Sequence, residues 1–181
     1  LEYGASHAAA WDCPATVITN LDKYRAHPRT KDNLEVIRRW EDVRETRWLS
    51  DAQKKALRVP GDEYILLINE EKQFELVRYH QITGDKPGIR AFVFERRGAR
   101  WVVYWHTFGE GALTLNVDDP ALEVRRELYE EPAAIERGAG FVRLPAGDRR
   151  YIRSSLTADQ LKAAFDRAVL DSPFHERPST R

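Results

Sequence analysis

A chain of 181 residues that is 42% hydrophobic and 32% charged has the size and mix of one globular domain, or of one domain with an appendage, and can bury a core without disulfides or metals. Its 29 basic and 29 acidic residues cancel, so it lacks the surplus of Lys and Arg that displaces counterions from a nucleic acid, and no such partner is expected. No apolar run approaches the roughly 20 residues of a membrane span, so no membrane partner is expected either.

Residues 1–60 read as helical and irregular. In TNLDKYRAHPRT, Thr19 or Asn20 can cap a short helix, which must end before Pro28 because the residue ahead of a proline is pushed out of the helical region. KDNLEVIRRWEDVRETRW then places Leu34, Val36, Ile37, Trp40 and Val43 on one side of a helix, with Arg38, Arg39, Glu41, Asp42 and Glu45 mostly away from it. Ser50 and Gln53 have capping-box spacing, so a further helix begins near Asp51 and stops at Pro60-Gly61. From Asp62 the apolar period becomes two. EYILLINEEKQFELVRY reads as a hairpin turning near Glu70 to Gln73, and IRAFVFERRGARWVVYWHTF as a second, turning at Arg96 to Ala99. ALTLNV alternates as a strand wet on one face, and short strands are expected within 122–129, 133–136, 140–144 and 150–154. Thr157 and Gln160 form a second capping box, opening a helix that carries Leu161, Ala164, Phe165, Ala168 and Val169 on one face.

Seven or eight closely spaced strands with Gly and Pro turns predict an α+β chain that is mainly β. The expected architecture is a helical N-terminal segment over 1–60, an antiparallel β-sandwich with a C-terminal helix over 61–171, and a flexible tail over 172–181. The N-terminus has Glu2 where a signal peptide is basic, and no long apolar stretch. Together with the single cysteine, Cys13, this predicts a reducing, cytoplasmic setting. The chain has no Met, not even at its start, so it is expected to be processed or to be a piece of something longer, with its true N-terminus upstream.

The chemistry concentrates in RWVVYWHTFGEGALTL, residues 100–115. On a strand, Trp101, Val103 and Trp105 share one face, and Val102, Tyr104 and His106 the other. Both faces are apolar, which places the strand mid-sheet and makes Trp101 and Trp105 mainly core. A flat indole can also stack on a sugar. The candidate ligand-binding residues are therefore Tyr104, His106, Glu110 and Trp105, with Tyr104 and His106 the most reachable beside the Gly109-Glu110-Gly111 turn. His7, His27, His80, His106 and His175 show no HxxxH or HxH spacing, and GARW and GAG lack the context of a phosphate loop, so neither a metal nor a cofactor is expected. Cys13 lies near His7 and Asp12 in sequence, without a nucleophile signature around it, and reads as a small buried residue. Glu70, Glu71, Asp118, Asp119, Glu130 and Glu131 fall in turns where solvated charge is ordinary, which leaves Glu110, between two glycines, as the acid exposed with purpose.

Several stretches together, TNLDKYRAHPRT, NLEVIRRWEDVR, YILLINE, VVYWHTFGEGALTL and RRYIRSSLTADQL, resemble the C-terminal part of bacterial glycoside-hydrolase-like proteins, over most of residues 16–170. The resemblance implies an upstream (β/α) barrel that passes through its last helices into a β-sandwich, with catalytic carboxylates at the barrel mouth. No barrel of eight βα units fits this chain, so no catalytic residue carries over to it. What is implied is a non-catalytic accessory domain of a carbohydrate-active enzyme, with an upstream catalytic domain and a carbohydrate as partners. Two alternatives stand beside it. One is a small self-contained hydrolase or isomerase using His106, Glu110 and Tyr104, with the histidine as acid and base. The other is a protein-interaction module that docks a partner through the helix at 33–48, with Trp40 and Trp48 as exposed anchors.

Overall fold

The computed structural model describes residues 1–84 and 88–174, and the chain divides into two compact units, Leu1–Tyr79 and His80–Arg181. The fold is α+β and mainly β, with three antiparallel sheets. Among the described residues no helix is long and apolar enough to cross a membrane.

The first unit holds α1 (Glu2–Ala10), α2 (Leu21–Ala26), α3 (Thr30–Glu45), α4 (Asp51–Leu57), β1 (Tyr64–Ile68) and β2 (Phe74–Arg78). Ala5, Ala9 and Ala10 of α1 are small enough to let α3 and α4 approach, and they pack with Val36, Trp40 and Val43 of α3, Leu57 of α4 and Leu66 of β1. Trp40 buries its indole there because the Glu2 carboxylate accepts its Nε1–H at 2.6 Å. Leu34 is exposed, whereas Arg39, expected on the polar side, is buried and donates to Glu35 at 2.8 Å. An ion pair one turn back makes that burial tolerable. Asn20 caps α2, accepting from Asp22 and Lys23 backbone N–H groups, and Ser50 with Gln53 forms the capping box of α4. In the β1–β2 hairpin, Asn69 closes the turn by accepting from the backbone N–H of Glu71 at 3.0 Å and of Gln73 at 2.8 Å.

The second unit contains β3 (His80–Gln81), β4 (Ile89–Arg96), β5 (Ala99–His106), β6 (Gly111–Leu115), β7 (Glu123–Arg125), β8 (Glu136–Gly138), β9 (Phe141–Ala146), β10 (Arg150–Ser154), α5 (Ala158–Asp166) and β11 (Val169–Asp171). One sheet runs β3-β4-β5-β10-β7 and the other β11-β6-β9-β8. Ala91, Val93, Val102, Tyr104, Val124 and Ile152 from the first share an apolar core with Leu113, Leu115, Val142 and Leu144 from the second and with Leu161 and Phe165 of α5. This is a sandwich core with a helix against it. Arg97 and Gly98 both have positive φ, 49° and 72°, the conformation that a two-residue turn needs to match the twist of β4 and β5.

The structure departs from the sequence reading in three places. The units divide after Tyr79, and not near residue 60, because the first hairpin packs Leu66 into the helical core and forms a two-stranded sheet of its own. The closing helix ends at Asp166, and Val169 to Asp171 instead pair with Thr114 to Ala112 as an edge strand of β6. Of the expected flexible tail, residues 175–181, with His175, lie outside the described residues, whereas Ser172 is buried and hydrogen-bonded.

Candidate functional site

β5 runs through the middle of its sheet, between β4 and β10, which is why it is apolar on both faces. Trp101 and Val103 on one face and Val102 and Tyr104 on the other are all buried. Tyr104 donates its hydroxyl to the Pro145 carbonyl at 2.8 Å, and burial pushes its phenol above the ordinary 10.0. Trp105 is half-buried and stacks on Phe92, with ring centroids 5.3 Å apart and planes 17° from parallel.

His106 is fully buried, and its partners fix its proton. The Phe108 backbone N–H donates to Nδ1 at 3.0 Å, so in the neutral ring the hydrogen is on Nε2, which donates to Ser172 Oγ at 3.0 Å. Ser172 in turn donates to the Glu110 carbonyl at 2.6 Å. The histidine is thus the donor toward the serine, which is the reverse of a base activating a nucleophile.

Tyr104 and His106 were expected at an open rim, and the structure corrects this. A Cβ on Gly109 would overlap Phe174, and one on Gly111 would overlap the Asp171 carbonyl. The two glycines therefore serve close approach, allowing the segment from Asp171 to Phe174 to cover this end of β5. Glu110 is exposed, but what links it to His106 is its carbonyl through Ser172, and not its carboxylate. Trp105 projects to the opposite face of β5 from Tyr104 and His106. The four candidates form no common surface, and a hydrolase or isomerase site built on His106, Glu110 and Tyr104 does not assemble.

At the turn end of the β4–β5 hairpin lies a groove of about 420 Å³ lined by Glu95, Arg100, Ala121, Glu123, Arg153 and Ser155. Arg100 pairs with Glu95 at 3.0 Å and donates to the Leu156 carbonyl at 2.7 Å. Two of the groove's lining residues, Ser154 and Ser155, are held by Asp119, which is only 2% exposed. Its carboxylate accepts from the Ser154 hydroxyl at 2.6 Å, the Ser155 hydroxyl at 2.8 Å, and the backbone N–H groups of Ser155 at 3.0 Å and Ala121 at 3.1 Å. Burial raises its pKa, but those hydrogen bonds outweigh burial and hold the carboxyl below its ordinary 3.8. Asp119 was expected in solvent like its neighbours. It is an organising residue, and two of its donor residues, Ser154 and Ser155, lie some 35 residues further on in the sequence.

The first unit carries most of the exposed large apolar side chains among the described residues. Of the large apolar side chains left exposed among the described residues, nine lie in this unit and three, Tyr129, Val169 and Phe174, in the other. A groove of about 260 Å³ lined by Val17, Tyr24, His27 and Ile37 runs along α2 and α3, and Ile18 beside it is 95% exposed. Trp40, expected as an exposed anchor, is buried, while Trp48 is 36% exposed and meets Phe74 edge-on at 6.1 Å. Cys13 is exposed where a buried thiol was expected. It donates to the Trp11 carbonyl, while His7 bonds the Tyr3 carbonyl, so the two do not form a pair. No group of three His, Cys, Asp or Glu side chains among the described residues could hold a metal ion. The aromatic that sequence reasoning passed over is Trp11, because small residues before it and Asp12-Cys13-Pro14 after it give no apolar period. No protein-family model, curated protein or solved structure matches the chain.

Proposed function

We propose that the chain is a non-catalytic accessory, C-terminal part of a carbohydrate-active, glycoside-hydrolase-like enzyme, and that its first unit seats against a folded catalytic domain. The observation that carries this reading is the apolar surface around Val17, Ile18, Leu21 and Leu34, side chains exposed together within 18 residues of sequence. Apolar exposure concentrated in one short segment favours a protein contact, because leaving it in water forfeits about 25 cal/mol for each Å². The resemblance of TNLDKYRAHPRT and NLEVIRRWEDVR to the end of a barrel domain supports the same surface as the contact, since Leu21 belongs to the first stretch and Leu34 to the second. Docking through Trp40 of α3 loses its support with that indole buried.

The coding sequence upstream of Leu1 tests the reading. An in-frame segment long enough for a (β/α) barrel, with paired carboxylates, is the expected result, and a reading frame that opens at Leu1 would overturn it.

A further inference from the structure

From Trp11 and the basin beside it, we infer a binding subsite for an uncharged oligosaccharide, with the indole as stacking platform. Trp11 follows the last residue of α1 and is 60% exposed, yet it is not loose. The Arg58 guanidinium carbon sits 4.0 Å from the indole centroid, and Arg58 Nε donates to the Ala10 carbonyl at 3.0 Å. One indole face is thereby covered by a cation that is itself pinned, while the residue as a whole stays 60% exposed. A rigid flat apolar face is what the C–H face of a pyranose ring stacks on. Its fixed orientation removes an ordering cost from binding.

The next residue, Asp12, leads into a basin of about 700 Å³ that it lines with Arg44, Glu45, Arg47, Asp51 and Lys54. Lys54 pairs with Asp12 at 2.5 Å and stands one helical turn before Arg58, so platform and basin lie along the same side of α4. Sugar hydroxyls both donate and accept. The basin offers acceptors in its carboxylates and donors in its guanidinium and ammonium groups. Three cations and three carboxylates balance within it, which matches a neutral ligand and not a uronate or a phosphate.

A protein-docking tryptophan has apolar neighbours around it. Here the basin's apolar lining residue, Leu49, is buried, and the exposed apolar groove of this unit shares no residue with the basin. The inference rests on the carbohydrate-active reading for its ligand class, but its test is independent of any upstream domain.

The test is calorimetric titration of the 181-residue chain with cellotetraose, xylotetraose, mannotetraose and tetragalacturonate. Saturable binding of at least one neutral tetrasaccharide is expected. Trp11→Ala should weaken it by about tenfold or more, in line with the loss of an aromatic anchor. Trp11→Phe should recover part of the affinity, and Trp48→Ala should leave it unchanged. Arg47→Gly, which suits a backbone at φ 55°, should weaken binding without touching the platform. No saturable binding by the unsubstituted chain, equal affinity in Trp11→Ala, or tightest binding of tetragalacturonate would each overturn the subsite. Such a failure leaves the accessory reading standing, because that reading is tested by the upstream coding sequence.

Discussion

His106 and Asp119 are polar groups made tolerable inside the second unit by partners distant in sequence. The Nε2–H of His106 has Ser172 as acceptor, so Ser172→Ala leaves a buried donor without that oxygen and should cost about 1–3 kcal/mol in urea unfolding, with an unchanged denaturant slope. Asp119→Asn sets an amide NH₂ against groups that all donate, and a loss of about 2–3 kcal/mol is expected. Asp119 also ties stability to acid. Its folded pKa lies below the ordinary 3.8, so as pH falls the unfolded chain takes up the proton first. Its contribution is complete above the ordinary value and is lost as pH falls through the folded one. The Asn variant should therefore lose less stability than the parent over that acid range. Period-two alternation was enough to assign Tyr104 and His106 to one face of β5. It could not reveal that Asp171 to Phe174 close over that face, since Ser172 stands 66 residues beyond His106.

Helices were legible where local chemistry decides them. Both capping boxes, Ser50 with Gln53 and Thr157 with Gln160, could be read directly because the partners lie three residues apart. Thr157→Ala should cost about 1 kcal/mol, measured by thermal or urea unfolding. In α3, hydrogen bonds from Arg38, against an opposing burial effect and with help from Arg39, lower the Glu35 carboxyl to about 2. Stability from this cluster is present above the ordinary 4.5 and disappears as pH falls toward 2, so Glu35→Gln should flatten that part of the acid profile. The side chain is one-third exposed, so solvent screening limits the effect to about 1 kcal/mol or less. β11 was not legible, because Val169 also continues the apolar stripe of α5 and only pairing with β6 decides between the two. Gly111→Ala should push Asp171 off β6, read as faster hydrogen exchange across Val169 to Asp171.

At the scale of the whole chain, strand number and turn spacing were enough to predict a mainly β sandwich with a helix against it, while the placement of the first hairpin was not. Its alternation suits any sheet, and only Leu66 entering the helical core assigns it to the first unit. Exposed surface was the least legible feature. Leu34 and Trp40 both belong to the apolar stripe of α3 in sequence, yet one faces solvent and the other is buried beneath α1. The apolar exposure from Val17 to Leu34 is the feature on which the proposed accessory role depends. Its most direct test is hydrogen exchange of residues 17–34, compared between the 181-residue chain and the protein encoded by its whole reading frame. Slower exchange across α2 and the start of α3 in the longer protein is the expected result; identical exchange in the two would contradict docking through this surface.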